Sequence, residues 1–106
     1  MKRIYNKLVR DNIPEIIKNN NQTAVTKILS DEDYKICLEN KLREETAEYL
    51  ESGETAELAD ILEVVESLGK LQKLTLDDLM KIKTEKQKKN GAFDKRIFLE
   101  EVEDNE

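Results

Sequence analysis

An all-α fold, a helical bundle built on an antiparallel helix hairpin and completed by oligomerisation, is what three features of the sequence predict. Apolar residues recur at the helical period in two long stretches on either side of Ser52-Gly53. Residues suited to helix ends bound the helical stretches: Ser30 ahead of Asp31-Glu32-Asp33, Thr75 with Asp78 three residues on, and glycine at Gly53 and Gly91. Charged residues make up 40% of the chain and aromatics 5%, with no Trp or His, a balance that suits exposed amphipathic helices and fills a core poorly.

The elements follow in order. Met1 to Arg10 carries Lys2, Arg3, Lys7 and Arg10 and no acid. Asp11 or Asn12 can cap a short helix with Pro14 in its first turn, where a missing N–H costs nothing. Ile13, Ile16 and Ile17 give it an apolar side, and it runs out in Asn19-Asn20-Asn21. Ala24, Val25, Thr26 and Ile28 suit a short extended segment. Ser30 then starts a helix that reaches about Leu50, the acids behind it favouring the positive end of the helix dipole. Ser52-Gly53 stops it, and a second long helix spans about Thr55 to Gln72. Thr75 and Asp78 open a third, through Leu79, Met80 and Ile82 into Lys86 to Lys89, closed by Asn90-Gly91. After a loop, Ile97 to Leu99 reads as a strand able to pair with Val25 to Ile28 as a small two-stranded β appendage. No internal repeat or long linker divides the chain, so residues 1–106 read as one domain.

Composition narrows the chemistry. A net charge of −6, with no dominant basic stripe, argues against a nucleic-acid polymer as partner. Without His the usual general base and transition-metal ligand are missing, which leaves carboxylates, lysines, arginines, hydroxyls or a hard metal. The lone Cys37 excludes an intramolecular disulfide and fits a reducing compartment, where it reads as a small buried apolar residue. No signal peptide and no apolar run near the ~20 residues of a membrane span are present, so a cytoplasmic protein without a membrane partner is expected. A core this thin favours pairing with further copies of the chain.

The most informative residues are acids on the wrong face. At roughly 100° per residue, Tyr34, Leu38, Leu42 and Tyr49 form the apolar stripe of the first long helix, with Glu45 inside it and Glu48 at its edge. In the second, Leu58, Ile61, Leu62, Val64, Val65 and Leu68 form the stripe, with Glu57 inside and Asp60 at the edge. A tight turn between the helices sets Glu45 level with Asp60 and Glu48 level with Glu57. Members three apart are separated by ~4.5 Å along an axis, and helices packed ~8–10 Å apart let the carboxylates meet. Such a box is unfavourable without a cation, and oxygen-only ligands suit Mg²⁺ or Mn²⁺ rather than Zn²⁺. Magnesium commonly shares its coordination with phosphates, so a phosphorylated ligand is implied. Glu63 and Glu66 have the same spacing but fall outside the stripe and read as a solvated face.

Glu44-Glu45-x-x-Glu48 followed by Glu57-x-x-Asp60 resembles the EExxE…ExxD signature of the MazG-like, all-alpha nucleotide pyrophosphohydrolases. Tyr5 to Ile17 (YNKLVRDNIPEII) is similar to the opening of its short-chain phosphoribosyl-ATP pyrophosphohydrolase-like branch, with Asn12 where lysine is expected. Asn90 to Ile97 (NGAFDKRI) is similar to its closing Gly-Gly-Phe segment, with Ala92 for the second glycine. The resemblance covers nearly the whole chain. It implies Mg²⁺-dependent hydrolysis between the α and β phosphates of a nucleoside triphosphate-like substrate, giving a monophosphate and pyrophosphate. It further implies Glu45, Glu48, Glu57 and Asp60 as metal ligands, Glu44 as support for them or for the attacking water, and a homodimer or homotetramer.

Substrate phosphates need cations as well. Lys7 and Arg10 are candidates, Arg10 the better placed because its planar fork suits phosphate, and Lys86, Lys89, Lys95 and Arg96 are the others. Tyr34 and Tyr49 could stack a base, although stripe positions suit the core. Two other readings are a non-catalytic helical nucleotide-binding or interaction module, and true phosphoribosyl-ATP pyrophosphohydrolysis.

Overall fold

In the computed structural model, which describes residues 1–105, the chain forms four helices: α1 (Ile13–Asn19), α2 (Asp31–Ser52), α3 (Thr55–Leu71) and α4 (Leu76–Asn90). Local chemistry sets their ends. The Ser30 hydroxyl accepts from the Asp33 N–H at 3.2 Å, with Asp31, Glu32 and Asp33 in the first turn of α2. At α4 the Thr75 hydroxyl accepts from the Asp78 N–H at 3.1 Å, and the Asp78 carboxylate accepts from the Thr75 N–H at 2.9 Å. The Thr75 backbone N–H bonded to the Asp78 carboxylate, with the Thr75 hydroxyl beside it, favours the ionised form and lowers the Asp78 pKa. In α1, Pro14 falls in the first turn as its missing N–H allows, but Asn12 has helical dihedrals and its side chain caps nothing.

Two glycines shape the helix arrangement. Gly53 has φ +68 and its N–H donates to the Tyr49 carbonyl at 2.7 Å, ending α2 in a left-handed residue that a side chain would strain. Only Gly53 and Glu54 separate α2 from α3, and these two helices make the main contact between elements. Gly69 serves a different end. A Cβ there would lie 2.8 Å from Leu79 Cδ1 and 3.4 Å from the Leu74 carbonyl oxygen, so its absence lets α4 close on α3.

The core is as thin as the composition implies. Among the described residues, Leu38 and Val64 are the buried hydrophobic side chains, at 3% and 7% exposure. Tyr34, Leu42 and Tyr49 of α2, and Ile61, Val65 and Leu68 of α3, are half-buried. Leu58 and Leu62, assigned to the same stripe, remain exposed. Cys37 is free and half-buried. The solvent-accessible surface is 10283 Å² for a 12.3 kDa chain, against about 6,100 Å² from the scaling for folded monomers. The radius of gyration is 19.3 Å, where a compact domain of this length has about 13 Å.

The β appendage does not form. Among the described residues there is no strand, and the segments around Val25 to Ile28 and Ile97 to Leu99 are irregular. Val25, Ile28, Ile97 and Phe98 are all more than 80% exposed. An isolated two-stranded ribbon buries too little to offset its ordering, and here no face covers it. Among the described residues no helix is long and apolar enough to cross a membrane.

Leu38 is the most deeply buried apolar side chain of the described residues, so its truncation removes apolar contact from the core. Leu38→Ala is expected to cost about 2–5 kcal/mol, and Leu50→Ala, at an exposed position of the same helix, under about 0.5 kcal/mol. Urea denaturation of both variants at one protein concentration checks this.

Candidate functional site

The packing of α2 on α3 brings acids together from both helices. One carboxylate oxygen each from Glu45, Glu57 and Asp60 lie within 4.8 Å of one another. Glu45 is the buried charged side chain of the described residues, and Glu57 and Asp60 are half-buried. Both members of the stripe-breaking set thus turn inward, Glu45 from α2 and Glu57 from α3. Glu48 is exposed and lies outside that triad. Its charge nevertheless acts on both Glu45 and Glu57, and each can share a hydrogen bond with it when one partner is protonated. Glu44 stands half-buried beside Glu45.

The electrostatics follow from this crowding. Burial raises the Glu45 pKa, and the Glu48 carboxylate raises it further, while Lys41 opposes the shift. Desolvation likewise raises Glu57, with the Glu48 carboxylate raising it further. Negative charge is therefore concentrated at the contact between α2 and α3, as in sites that hold a cation or share protons. The donors are all oxygen, which fits a hard divalent cation better than a soft one.

Three cations reach the cluster. The Arg10 guanidinium donates to Asp60 Oδ1 at 2.7 Å through Nη2 and to Glu63 Oε1 at 3.3 Å through Nη1. Lys7 Nζ lies 3.6 Å from Glu44 Oε1. Both of the expected N-terminal phosphate partners therefore stand at the acids. Neither pair is deeply buried, so each contributes only about 0.2–1 kcal/mol. The third is Lys41, 3.3 Å from Glu44 Oε2 and 3.6 Å from Glu45 Oε1. Sequence reasoning missed it, although its spacing of three and four residues before Glu44 and Glu45 placed all three on one helix face. Among the described residues no ion pair joins Lys86, Lys89, Lys95 or Arg96 to the cluster. All four are exposed, on the C-terminal half of α4 and in the segment after it. Glu63, read as solvated, is half-exposed but holds Arg10, and Glu66 is half-buried.

Beside Arg10 an open groove runs between α3 and α4, with Ala59, Leu62, Leu76 and Met80 as its apolar wall and Glu63 and Glu66 at its edge.

No protein-family model matches the chain. Over 41 residues it is 51% identical to a protein of Mycolicibacterium smegmatis described as uncharacterized, a match that takes in 39% of this chain. The chain spans 42% of that relative's length. No solved structure matches the chain.

The raised carboxyls predict an unusual pH response in the absence of divalent cations. A carboxyl whose folded pKa lies above its unfolded value binds its proton more tightly in the folded chain. Stability from Glu45 and Glu57 is therefore greatest at low pH and is lost as pH rises from about 4.5 through their raised values. Asp78, lowered from 3.8, works the opposite way, and its contribution fades only as pH falls below that range. Thermal denaturation in EDTA should show the melting temperature falling as pH rises above about 4.5, and Glu45→Gln should flatten the dependence.

Proposed function

We propose that this chain is a Mg²⁺-dependent pyrophosphohydrolase that cleaves a nucleoside triphosphate-like substrate between its α and β phosphates, with nucleotide-pool house-cleaning as its role. The observation that carries the reading is the carboxylate cluster of Glu45, Glu57 and Asp60. Its acids interrupt apolar stripes, and Glu45 is 8% exposed, a placement that costs stability unless its charge is balanced. The Glu44-Glu45-x-x-Glu48 and Glu57-x-x-Asp60 spacing, with its resemblance to MazG-like enzymes, supports the same reading.

Glu45, Glu48, Glu57 and Asp60 would hold the metal, with Glu48 turning in from its exposed position on α2. Bound there, Mg²⁺, or Mn²⁺ in its place, supplies Lewis acidity to a phosphoryl oxygen and lowers the pKa of a water. Glu44, free of the triad and beside Glu45, orients that water or accepts its proton. Lys7 and Arg10 already stand at the cluster and exchange their carboxylate partners for substrate phosphates, which satisfy the same donors. Nothing within one chain brings Lys86, Lys89, Lys95 or Arg96 to the cluster, and the reading does not rest on them.

The active form in this proposal is a homodimer or homotetramer built around the α2–α3 hairpin. Its support is the surface: Leu58, Leu62 and Met80 are each more than 40% exposed, and the groove beside Arg10 is open on one side. A second copy would cover this apolar area and exclude water from the site.

Pyrophosphate release from a nucleotide panel, with Mg²⁺ or EDTA, is the direct test. Metal-dependent release is expected, and Glu57→Gln should lower kcat/KM by at least about 100-fold. Absence of release from every nucleotide by folded, metal-supplied protein would replace the enzyme with a helical nucleotide-binding or interaction module. Light scattering should give a mass two or four times the 12.3 kDa chain.

A further inference from the structure

The three cations at the cluster differ in how firmly they are held. Lys7 and Arg10 come from the N-terminal segment, with side chains 45% and 56% exposed. Water screens their ion pairs, and another anion can draw them away. Lys41 belongs to α2 itself, about one turn before its partners, and its side chain is only 19% exposed. Its ammonium touches Glu44 and, with Glu45, forms the most buried ion pair among the described residues. An ammonium and a carboxylate taken this far from water both cost free energy unless they balance each other.

We propose that Lys41 is the resident counter-ion of the carboxylate cluster: it balances Glu44 and Glu45 when no divalent cation is bound, and yields Glu45 when one arrives. The first half stands on the ion pairs alone, and the second rests on the metal-site reading. Lys41 is a positioning residue in this role, since it acts through the two carboxylates.

The sign of its effect separates this role from packing. An ammonium near a cation site repels the incoming ion and competes for the same oxygen. Removing it leaves the cation-free protein with an unbalanced buried charge, yet leaves the site more attractive to a divalent cation. A lysine that only packed its stem would weaken both properties or neither. Lys41→Met keeps an apolar stem of similar length, and Lys41→Arg keeps the charge.

The test uses the full chain at fixed protein concentration. Urea unfolding in EDTA of wild type, Lys41→Met, Glu45→Gln and the double variant forms a cycle. Lys41→Met should lower the midpoint by about 0.5 M in the wild-type background and by measurably less in the Glu45→Gln background, where the more buried of its two partner charges is gone and Glu44 remains. Equal losses in both backgrounds overturn the counter-ion. Calorimetric titration with Mn²⁺ alone should show Lys41→Met binding about ten-fold tighter than wild type, and Lys41→Arg binding like wild type. Unchanged or weaker binding by folded Lys41→Met overturns the displacement. If neither wild type nor Lys41→Met binds Mn²⁺, the metal-site reading and the displacement fall together, while the urea cycle still judges the counter-ion by itself.

Discussion

Mutual repulsion among carboxylates forced onto the contact between α2 and α3 is the constraint around which this molecule is arranged. The contact exists because Leu38 and Val64 are buried there and because Gly53 lets the chain leave α2 after a single left-handed residue. That same contact sets the Glu45, Glu57 and Asp60 oxygens within 4.8 Å of one another. Apolar packing supplies the attraction and the acids oppose it. In a chain with so little buried apolar surface, the opposition is a large fraction of the total. The raised pKa values of Glu45 and Glu57 express the same conflict, since a proton is one way to relieve it.

The remaining charges near the contact are arranged as relief of the same kind. Lys41 lies along α2, Arg10 bridges Asp60 and Glu63 on successive turns of α3, and Lys7 meets Glu44. Two of these come from the segment before α1, so ion pairs link the N-terminal segment to α2 and α3. In the proposed enzyme a divalent cation and substrate phosphates would take over the two sides of this balance, the cation at the carboxylates and the phosphates at Lys7 and Arg10. Affinity for both ligands then draws on repulsion and pairing already present in the folded chain.

Thin packing leaves apolar surface that the proposed assembly would cover. An accessible surface of 10283 Å² and a longest dimension of 71 Å leave α3 and α4 with apolar side chains in water. Gly69 brings α4 onto α3 at one end, but Leu58, Leu62 and Met80 remain largely uncovered by this chain. A second copy would stabilise the fold and close the groove beside the cluster by burying the same residues.

Much of this was determined by local sequence. Helix ends depend on residues a few positions apart, so Ser30, Thr75 with Asp78, Gly53 and the asparagine tract after α1 place them within a residue or two. Helical periodicity likewise put Glu45 and Glu57 on inner faces, because the angle between neighbours on a helix is nearly constant. Tertiary structure decided the rest. Whether Val25 to Ile28 and Ile97 to Leu99 became strands depended on a covering face that one chain does not provide, and they did not. Glu48 turned out exposed and Glu66 half-buried, because real packing covers part of a stripe rather than all of it. The pairing of Arg10 with Asp60 and Glu63, about fifty residues away, follows from where the chain returns in space, which no local spacing encodes.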